Sequence, residues 1–300
     1  MKLSSLGDIV QTVPALLHVR KALPNIFITW IVDSSYLGLV KELQVADEVK
    51  GISFSDWKKG KISLRTLIKE LFLLRKEAID VSCDFQGNLK SFITHMFISS
   101  RKRVGYAMQA APELFGTLFL TKRVVPDATS VYKRYLSLVS FALDIDMPSE
   151  IPTLHGTRGE KVYVAPFSRW DAKVVRKSFW ESIGTSFEVL AGKDDDTDPF
   201  ADHVIHADLS WKDLIEKVRS AKHVYGVDSF VVHLAAVLGV PTSTVFGASS
   251  AAYYTPPGGT SMQGECPLGV RFDTRCPHLR RCKSKGCVKK LTSSTRSFFF

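Results

Sequence analysis

The chain has 300 residues, 45% of them hydrophobic, and a formal net charge of +10, a composition that supports a sizeable buried core. No apolar run is long enough to cross a bilayer, which excludes a membrane-spanning protein. The N-terminal residues do not have the pattern of a signal peptide, so we expect a cytoplasmic protein. The charge favours anionic partners such as a membrane surface, whereas no helix-turn-helix, RNA-recognition or zinc-finger spacing supports binding to nucleic acid.

The first half of the chain alternates helix-like and strand-like segments. It opens on a polar turn from Ser4 to Asp8 that runs into a helix over residues 9–23. Strands are predicted over 26–32, 49–54, 79–85 and 104–106, and further helices over 35–43, 64–76, 89–98 and 130–143. This alternation predicts a parallel sheet covered by helices. Only three residues precede the first turn, so we expect a truncated first strand that leaves two neighbouring strand edges exposed.

Residues 147–152, with prolines at 148 and 152, have the character of a linker. Beyond it the alternation restarts, with strands over 161–165, 187–191, 203–205, 223–226 and 242–246. Helices are predicted over 173–183, 211–220 and 230–238. The sequence therefore predicts two Rossmann-like α/β domains, 1–150 and 151–300, which in such proteins face each other across a cleft and bind ligands beyond the carboxyl ends of the strands.

Polar motifs stand at the ends of these predicted elements. They are Ser4 to Asp8, Asp84 to Asn88, Ala165 to Arg169 with Lys173, Gly226 to Ser229 with His233, and a weaker fifth, Gly247-Ala248-Ser249-Ser250. Each has a purely structural alternative. Ser168, Asp228 and Ser229 could simply cap the helices that follow them, and His233 could be a hydrogen-bonded core histidine.

The motifs together carry a resemblance that no single one of them would. The segments KLSSLGDIVQTVPAL, DFQGNLKS, RVGY, SRWDAKVVRKSFW and GVDSFVVHLAAVLGVPTSTVFGASS occur in this order. Over residues 2 to about 250, the chain resembles the bacterial lipopolysaccharide heptosyltransferases of glycosyltransferase family 9. The resemblance implies a fold of the GT-B type, with a Kdo sugar on lipid A as acceptor in the N-terminal domain and ADP-L-glycero-β-D-manno-heptose as donor in the C-terminal domain. It also implies heptose transfer with inversion and without a metal or other cofactor.

The resemblance implies a role for each motif. It makes Asp8 the base that takes the acceptor hydroxyl proton. A carboxylate at a helix N-terminus is a weak base, which suits a proton that moves late in an oxocarbenium-like transition state. The donor phosphates would meet Lys173, Ser168, Arg169, Asp228, Ser229 and His233. The donor ribose would meet Asp194 or Asp195, and the acceptor would meet Ser4, Ser5, Gly7, Gln86 and Lys90.

Several positions depart from the family pattern, among them Arg169, which stands where the family has a small hydroxylated residue. Val175 and Arg176 stand in place of a tryptophan-proline pair near Lys173, and Phe230 stands in place of the glycine that follows the turn at Asp228. A side chain at that last position stands where backbone usually approaches a phosphate.

Cys266, Cys276, Cys282 and Cys287 lie in a basic C-terminal stretch. Their spacing lacks the CxxC pair typical of zinc sites, so reduced thiols are favoured over a metal site.

Three readings of the function remain open. The first is heptose transfer to Kdo-lipid A by a peripheral protein on the inner face of the inner membrane, drawn there by its basic clusters. The second is a core transferase of the same family with a different acceptor or donor. The third is a truncated, inactive homologue that binds anionic surfaces.

Overall fold

The computed structural model describes residues 1–126 and 129–291, and the chain divides into two compact units, Met1–Pro152 and Thr153–Phe300. The helices of the first unit are α1 (Leu6–Ala22), α2 (Leu37–Leu43), α3 (Phe54–Lys58), α4 (Leu64–Leu73), α5 (Leu89–Met96) and α6 (Val131–Leu143). Its strands are β1 (Thr29–Asp33), β2 (Glu48–Ile52), β3 (Ile79–Cys83), β4 (Ser100–Tyr106) and β5 (Lys122–Val124). The helix and strand alternation predicted from the sequence is therefore present.

The strands of the first unit form two parallel groups, β1–β2 and β3–β4–β5. Residues 1–3 run between them. On one side the Lys2 N–H donates to Ile31 O at 3.2 Å, and on the other Met1 O accepts from the Phe85 N–H at 3.1 Å. The two edges that we expected to be exposed are thus bridged by these three residues.

The core of the first unit joins the sheet to α4. Leu67 and Leu71 lie one turn apart on α4 and are 3% and 2% exposed, which places one face of this helix against Ile31 and Ile52. Ser63 begins α4 by accepting the Thr66 N–H, so the helix starts at an ordinary serine cap. Apolar spacing and a local cap together fix this helix, which is why the sequence could predict it.

The second unit repeats the alternation. Its strands are β6 (Val162–Ala165), β7 (Glu188–Leu190), β8 (Ile205–His206), β9 (His223–Val227), β10 (Thr242–Phe246) and β11 (Thr260–Gln263). Its helices are α7 (Lys177–Glu181), α8 (Trp211–Arg219), α9 (Phe230–Val237), α10 (Ala251–Tyr254) and α11 (Gly286–Lys289).

The sheet of the second unit is parallel throughout, in the order β11-β10-β9-β6-β7-β8. This is the connection order of a doubly wound Rossmann sheet, in which the chain reverses its direction of travel between the first and fourth strands. Here those strands are β6 and β9, which pair from Val162 with His223 to Ala165 with Gly226. The crevice beyond their carboxyl ends is where such sheets bind ligands.

One predicted helix, over 173–183, is wrong at its start. Lys173 ends a short 3₁₀ turn over Asp171–Lys173, the chain is then extended, and α7 begins only at Lys177. Val175 is 3% exposed in the main core, so the extended stretch buries an apolar side chain that a helix would have placed differently.

Within the described residues, no helix is both long and apolar enough to cross a membrane.

Candidate active site

Side chains from three loops meet at the carboxyl ends of β6, β9 and β10. The Lys173 ammonium lies 2.5 Å from Asp228 Oδ2, and the Ser249 hydroxyl donates to the same oxygen at 2.5 Å. His233 Nε2 lies 3.0 Å from Asp228 Oδ1, so its N–H donates to the second oxygen. The four side chains form one hydrogen-bonded cluster, which we call the Asp228 cluster.

The Asp228 cluster is buried, since Lys173 is 8% exposed, Asp228 7%, His233 2% and Ser249 0%. Burial by itself raises the pKa of Asp228, but the Lys173 ammonium and the His233 ring outweigh it and hold that pKa well below its usual range. Asp228 is therefore a carboxylate, and its negative charge fixes the position of a buried positive charge at a ligand crevice.

Three further predicted donor contacts lie on the loops that carry Lys173 and Asp228. Ser229 is the N-cap of α9, and its hydroxyl oxygen is buried and meets no hydrogen-bond partner among the residues that the structure describes. Ser168 lies on the loop after β6 and accepts the Trp170 N–H at 3.4 Å, while the neighbouring Arg169 is exposed. The first turn of α9 thus presents backbone N–H groups beside the cluster.

The acidic run follows β7, the strand next to β6. Asp195 Oδ2 accepts the Gly192 N–H at 2.7 Å and so closes the turn at the end of that strand. Asp194 is exposed. The carboxyl end of β7 lies at the same edge of the sheet, which is where a Rossmann fold places an acid for a ribose.

In the first unit, the structure brings the Ser4 turn and the Gln86 turn together. Gln86 Oε1 accepts the Ser4 N–H at 3.3 Å and the Leu3 N–H at 3.2 Å. Asp8 Oδ2 accepts both the backbone N–H of Ser5, at 3.0 Å, and its hydroxyl, at 2.7 Å. Asp8 therefore forms part of the N-terminal cap of α1, which is the structural role that such an acid can also have.

Asp84, the first residue of the predicted motif over 84–88, is a buried support to which the sequence analysis gave no role. It is 1% exposed, and its Oδ1 accepts the backbone N–H groups of Gln86, at 2.7 Å, and Gly87, at 3.1 Å. Its position at the end of a predicted strand was the available signal.

Lys90 lies in the first turn of α5, half-buried, with its ammonium 5.9 Å from the centre of the Phe54 ring.

Sequence reasoning thus selected three of the four members of the Asp228 cluster and missed Ser249. The signal for Ser249 was the fifth polar motif, which follows the last predicted strand.

Phe230, the departure next to Ser229, directs its ring onto Trp211 of α8 in an edge-to-face contact with centroids 5.9 Å apart. This contact gives the large side chain at position 230 a packing partner.

The cysteines show packing roles. Cys276 and Cys287 are 9% and 8% exposed and belong to apolar clusters, and burial raises the pKa of the Cys287 thiol. In the ranges 1–126 and 129–291, no group of three or more His, Cys, Asp or Glu side chains is arranged to hold a metal ion.

Comparison with known proteins confirms the resemblance noted in the sequence. No protein-family model matches the chain. Lipopolysaccharide heptosyltransferase 1 of Pseudomonas aeruginosa is 24% identical over 100% of this chain and 89% of its own length. The enzyme of the same name from Campylobacter coli is 32% identical over 48% of this chain and 41% of its own length.

Among solved structures, Escherichia coli heptosyltransferase WaaC with ADP matches 99% of this chain and 98% of its own chain, with a TM-score of 0.77 and 18% identity. At that identity the match shows the fold alone. The fold class expected from the sequence, α/β with parallel sheets, is confirmed.

Proposed function

We propose that this chain, which is similar from end to end to lipopolysaccharide heptosyltransferase 1, is itself a heptosyltransferase of the lipopolysaccharide core. It would move L-glycero-D-manno-heptose from ADP-heptose to the Kdo sugar of lipid A. The observation that carries the proposal is the buried Asp228 cluster at the switch point of a Rossmann sheet, formed by residues of the same motifs that carry the sequence resemblance.

The donor diphosphate would bind at the Asp228 cluster. Transfer leaves a nucleoside diphosphate, whose extra negative charge must be stabilised as the glycosidic bond breaks. Lys173 would supply a compact positive charge, and the first N–H groups of α9, with the Ser229 hydroxyl, would supply hydrogen bonds. Ser168 and Arg169 would contact the same phosphates, and Asp194 or Asp195 the ribose.

Within this proposal Asp228 is a positioning residue. Its carboxylate holds the Lys173 ammonium, while His233 and Ser249 hold the carboxylate. A lysine side chain has many rotamers, and fixing it in advance reduces the entropy that donor binding costs. The buried network would therefore contribute to catalysis by holding the Lys173 ammonium where the donor diphosphate binds.

The acceptor would bind at the Ser4 and Gln86 turns, with Asp8 as the base and Gly7 and Lys90 beside it. Inversion in one displacement needs a base that removes the acceptor hydroxyl proton. Ser5 donates two hydrogen bonds to the Asp8 carboxylate and so orients it at the start of α1. A carboxylate base is sufficient where bond breaking to the leaving group precedes proton transfer.

The proposal requires no metal, since Lys173 and the helix N-terminus would meet the diphosphate charge. It places the protein in the cytoplasm, at the inner membrane surface that carries its lipid-linked acceptor. Neither nucleic acid nor an organic cofactor enters the reaction.

The test is heptose transfer by the purified full-length chain from ADP-heptose to Kdo-lipid A, followed by mass spectrometry of the acceptor, with and without EDTA. We expect transfer in both conditions and its loss in Lys173→Met, with the exposed Lys222→Met as the matched control. A larger thermal stabilisation and transfer with a UDP- or GDP-sugar would instead identify a different donor. Absence of transfer with every sugar nucleotide would overturn the enzymatic proposal.

A further inference from the structure

Large apolar side chains are exposed together on one segment of the first unit. Leu114, Phe115, Leu118 and Phe119 are 62%, 57%, 60% and 43% exposed, although they fall within six consecutive residues. Leu89, at the start of α5, is 47% exposed beside them. We call this set, residues 114–119 with Leu89, the apolar turn. Exposed apolar groups concentrated in this way mark interaction surfaces more often than scattered ones do.

The backbone beneath the apolar turn is fixed, so the exposure belongs to a defined surface. Gly116 packs so closely on Gly87 that a Cβ at position 116 would lie 2.4 Å from the Gly87 carbonyl carbon. The Glu113 carboxylate accepts the Leu89 N–H at 2.9 Å, and the Glu113 N–H donates to Gly87 O at 3.2 Å. These contacts hold the inner side of the turn against α5. The Phe92 ring of that helix lies 5.1 Å from the Phe119 ring and 6.5 Å from the Phe115 ring, so both phenylalanines rest on α5 with one side exposed.

Basic residues lie next to the apolar turn. Lys90 follows Leu89, and Lys122 and Arg123 follow the turn, with the Arg123 guanidinium donating to Thr117 O at 3.0 Å. Residues 113–123 contain two basic residues, Lys122 and Arg123, and one acidic residue, Glu113, whose carboxylate is the one bonded to Leu89. Basic side chains therefore flank the exposed apolar ones.

We propose that the apolar turn is the surface by which this chain docks on an anionic phospholipid bilayer. Leucine and phenylalanine side chains would enter the boundary between headgroups and acyl chains, and the flanking lysine and arginine side chains would meet the lipid phosphates. A specific protein partner is less well matched, because protein interfaces carry several hydrogen bonds and the outward side chains of 114, 115, 118 and 119 offer none.

The apolar turn lies next to the residues proposed to contact the acceptor. Gly87, on which the turn packs, adjoins Gln86, and Lys90 lies three residues further on, in the first turn of α5. Docking would bring these proposed acceptor contacts to the bilayer in which a lipid-linked acceptor is embedded, a consequence that rests on the proposed function. Binding to the bilayer itself does not depend on catalysis.

The test is co-sedimentation of the full-length chain with vesicles of phosphatidylethanolamine and phosphatidylglycerol, compared with vesicles of phosphatidylcholine alone. We expect preferential binding to the anionic vesicles that weakens as salt is raised. Phe115→Ser with Leu118→Ser should weaken binding at least tenfold. The matched control is Phe27→Ser with Leu268→Ser, which removes one phenylalanine and one leucine that are 71% and 68% exposed elsewhere.

Thermal melting of both double variants establishes that each is folded. Equal loss of binding in the two double variants, or equal binding of the wild type to both vesicle types, would overturn the docking surface. So would a wild type that is dimeric in solution and becomes monomeric in Phe115→Ser with Leu118→Ser, because the turn would then be a self-association surface. Transfer to a water-soluble, deacylated acceptor is measured in parallel, so that a failed docking surface and a failed enzymatic proposal give different results.

Discussion

Lys173 and Asp228 are 55 residues apart in the chain, yet the ammonium of one lies 2.5 Å from the carboxylate of the other in a buried position. Both charges have lost most of their hydration, and each compensates the other. The pair lies where β6 and β9 end side by side, so the sheet order, and not proximity in sequence, brings it together.

Replacing Asp228 by asparagine should destabilise the protein by about 3 kcal/mol or more, because the buried Lys173 ammonium then lacks a countercharge. Urea unfolding measures this change. The matched control is Asp202→Asn, which breaks an ion pair with Lys177 of similar length, 2.6 Å, at an exposed site. Solvent screens that exposed pair, so the control should unfold close to the wild type. Equal losses in both variants would contradict the role given to burial.

Ser249→Ala should lower heptose transfer about tenfold while leaving the fold intact. The variant removes one hydrogen bond to a charged group, worth about 1.5 to 3 kcal/mol, and releases the Asp228 carboxylate that positions Lys173. The effect should appear mainly in KM for the donor, since a less ordered lysine binds the diphosphate less well. Ser250→Ala, one residue further on and also buried, is the control and should leave KM unchanged.

Ser249 and Asp228 show what the sequence could and could not predict. Ser249 and Asp228 each follow a segment whose apolar pattern marks it as a strand, so their position at strand ends was predictable. Their contact depends on β9 pairing with β10 and β6, which is a non-local property. At Lys173 the local pattern gave a wrong prediction. The spacing over 173–183 is helix-like, but the burial of Val175 and the ion pair between Lys173 and Asp228 favour an extended chain at 174–176.

Asp8→Asn separates catalysis from helix capping. Asparagine can still accept the Ser5 hydrogen bonds, so the stability of α1 should change by less than about 1 kcal/mol, whereas loss of the base should lower kcat at least about a hundredfold. Ser130→Ala provides the reverse case. It removes the side chain that caps α6 through the Lys133 N–H and should cost about 1 kcal/mol of stability with kcat unchanged. An Asp8→Asn variant with full turnover would leave Asp8 as a cap only.

The buried histidine of the first unit predicts how stability depends on pH. His95 is 1% exposed, and burial lowers its pKa to about 4, although the nearby Asp84 carboxylate opposes part of that shift. In the unfolded chain a histidine takes up a proton near pH 6.5. Between pH 6.5 and 4 the unfolded state therefore binds more protons than the folded state, and the free energy of unfolding falls as the pH is lowered through this window.

His95→Gln should remove its share of that dependence, on the order of 3 kcal/mol between pH 7 and pH 4 at about 1.4 kcal/mol for each unit of pKa. Part of the slope should remain, because burial also lowers the pKa of His223 to about 4. Urea unfolding at several pH values measures both slopes, with the exposed His155→Gln as the control. If His95→Gln unfolds with the same pH slope as the wild type, His95 is protonated in the folded protein at these pH values, and the effect assigned to its burial is wrong.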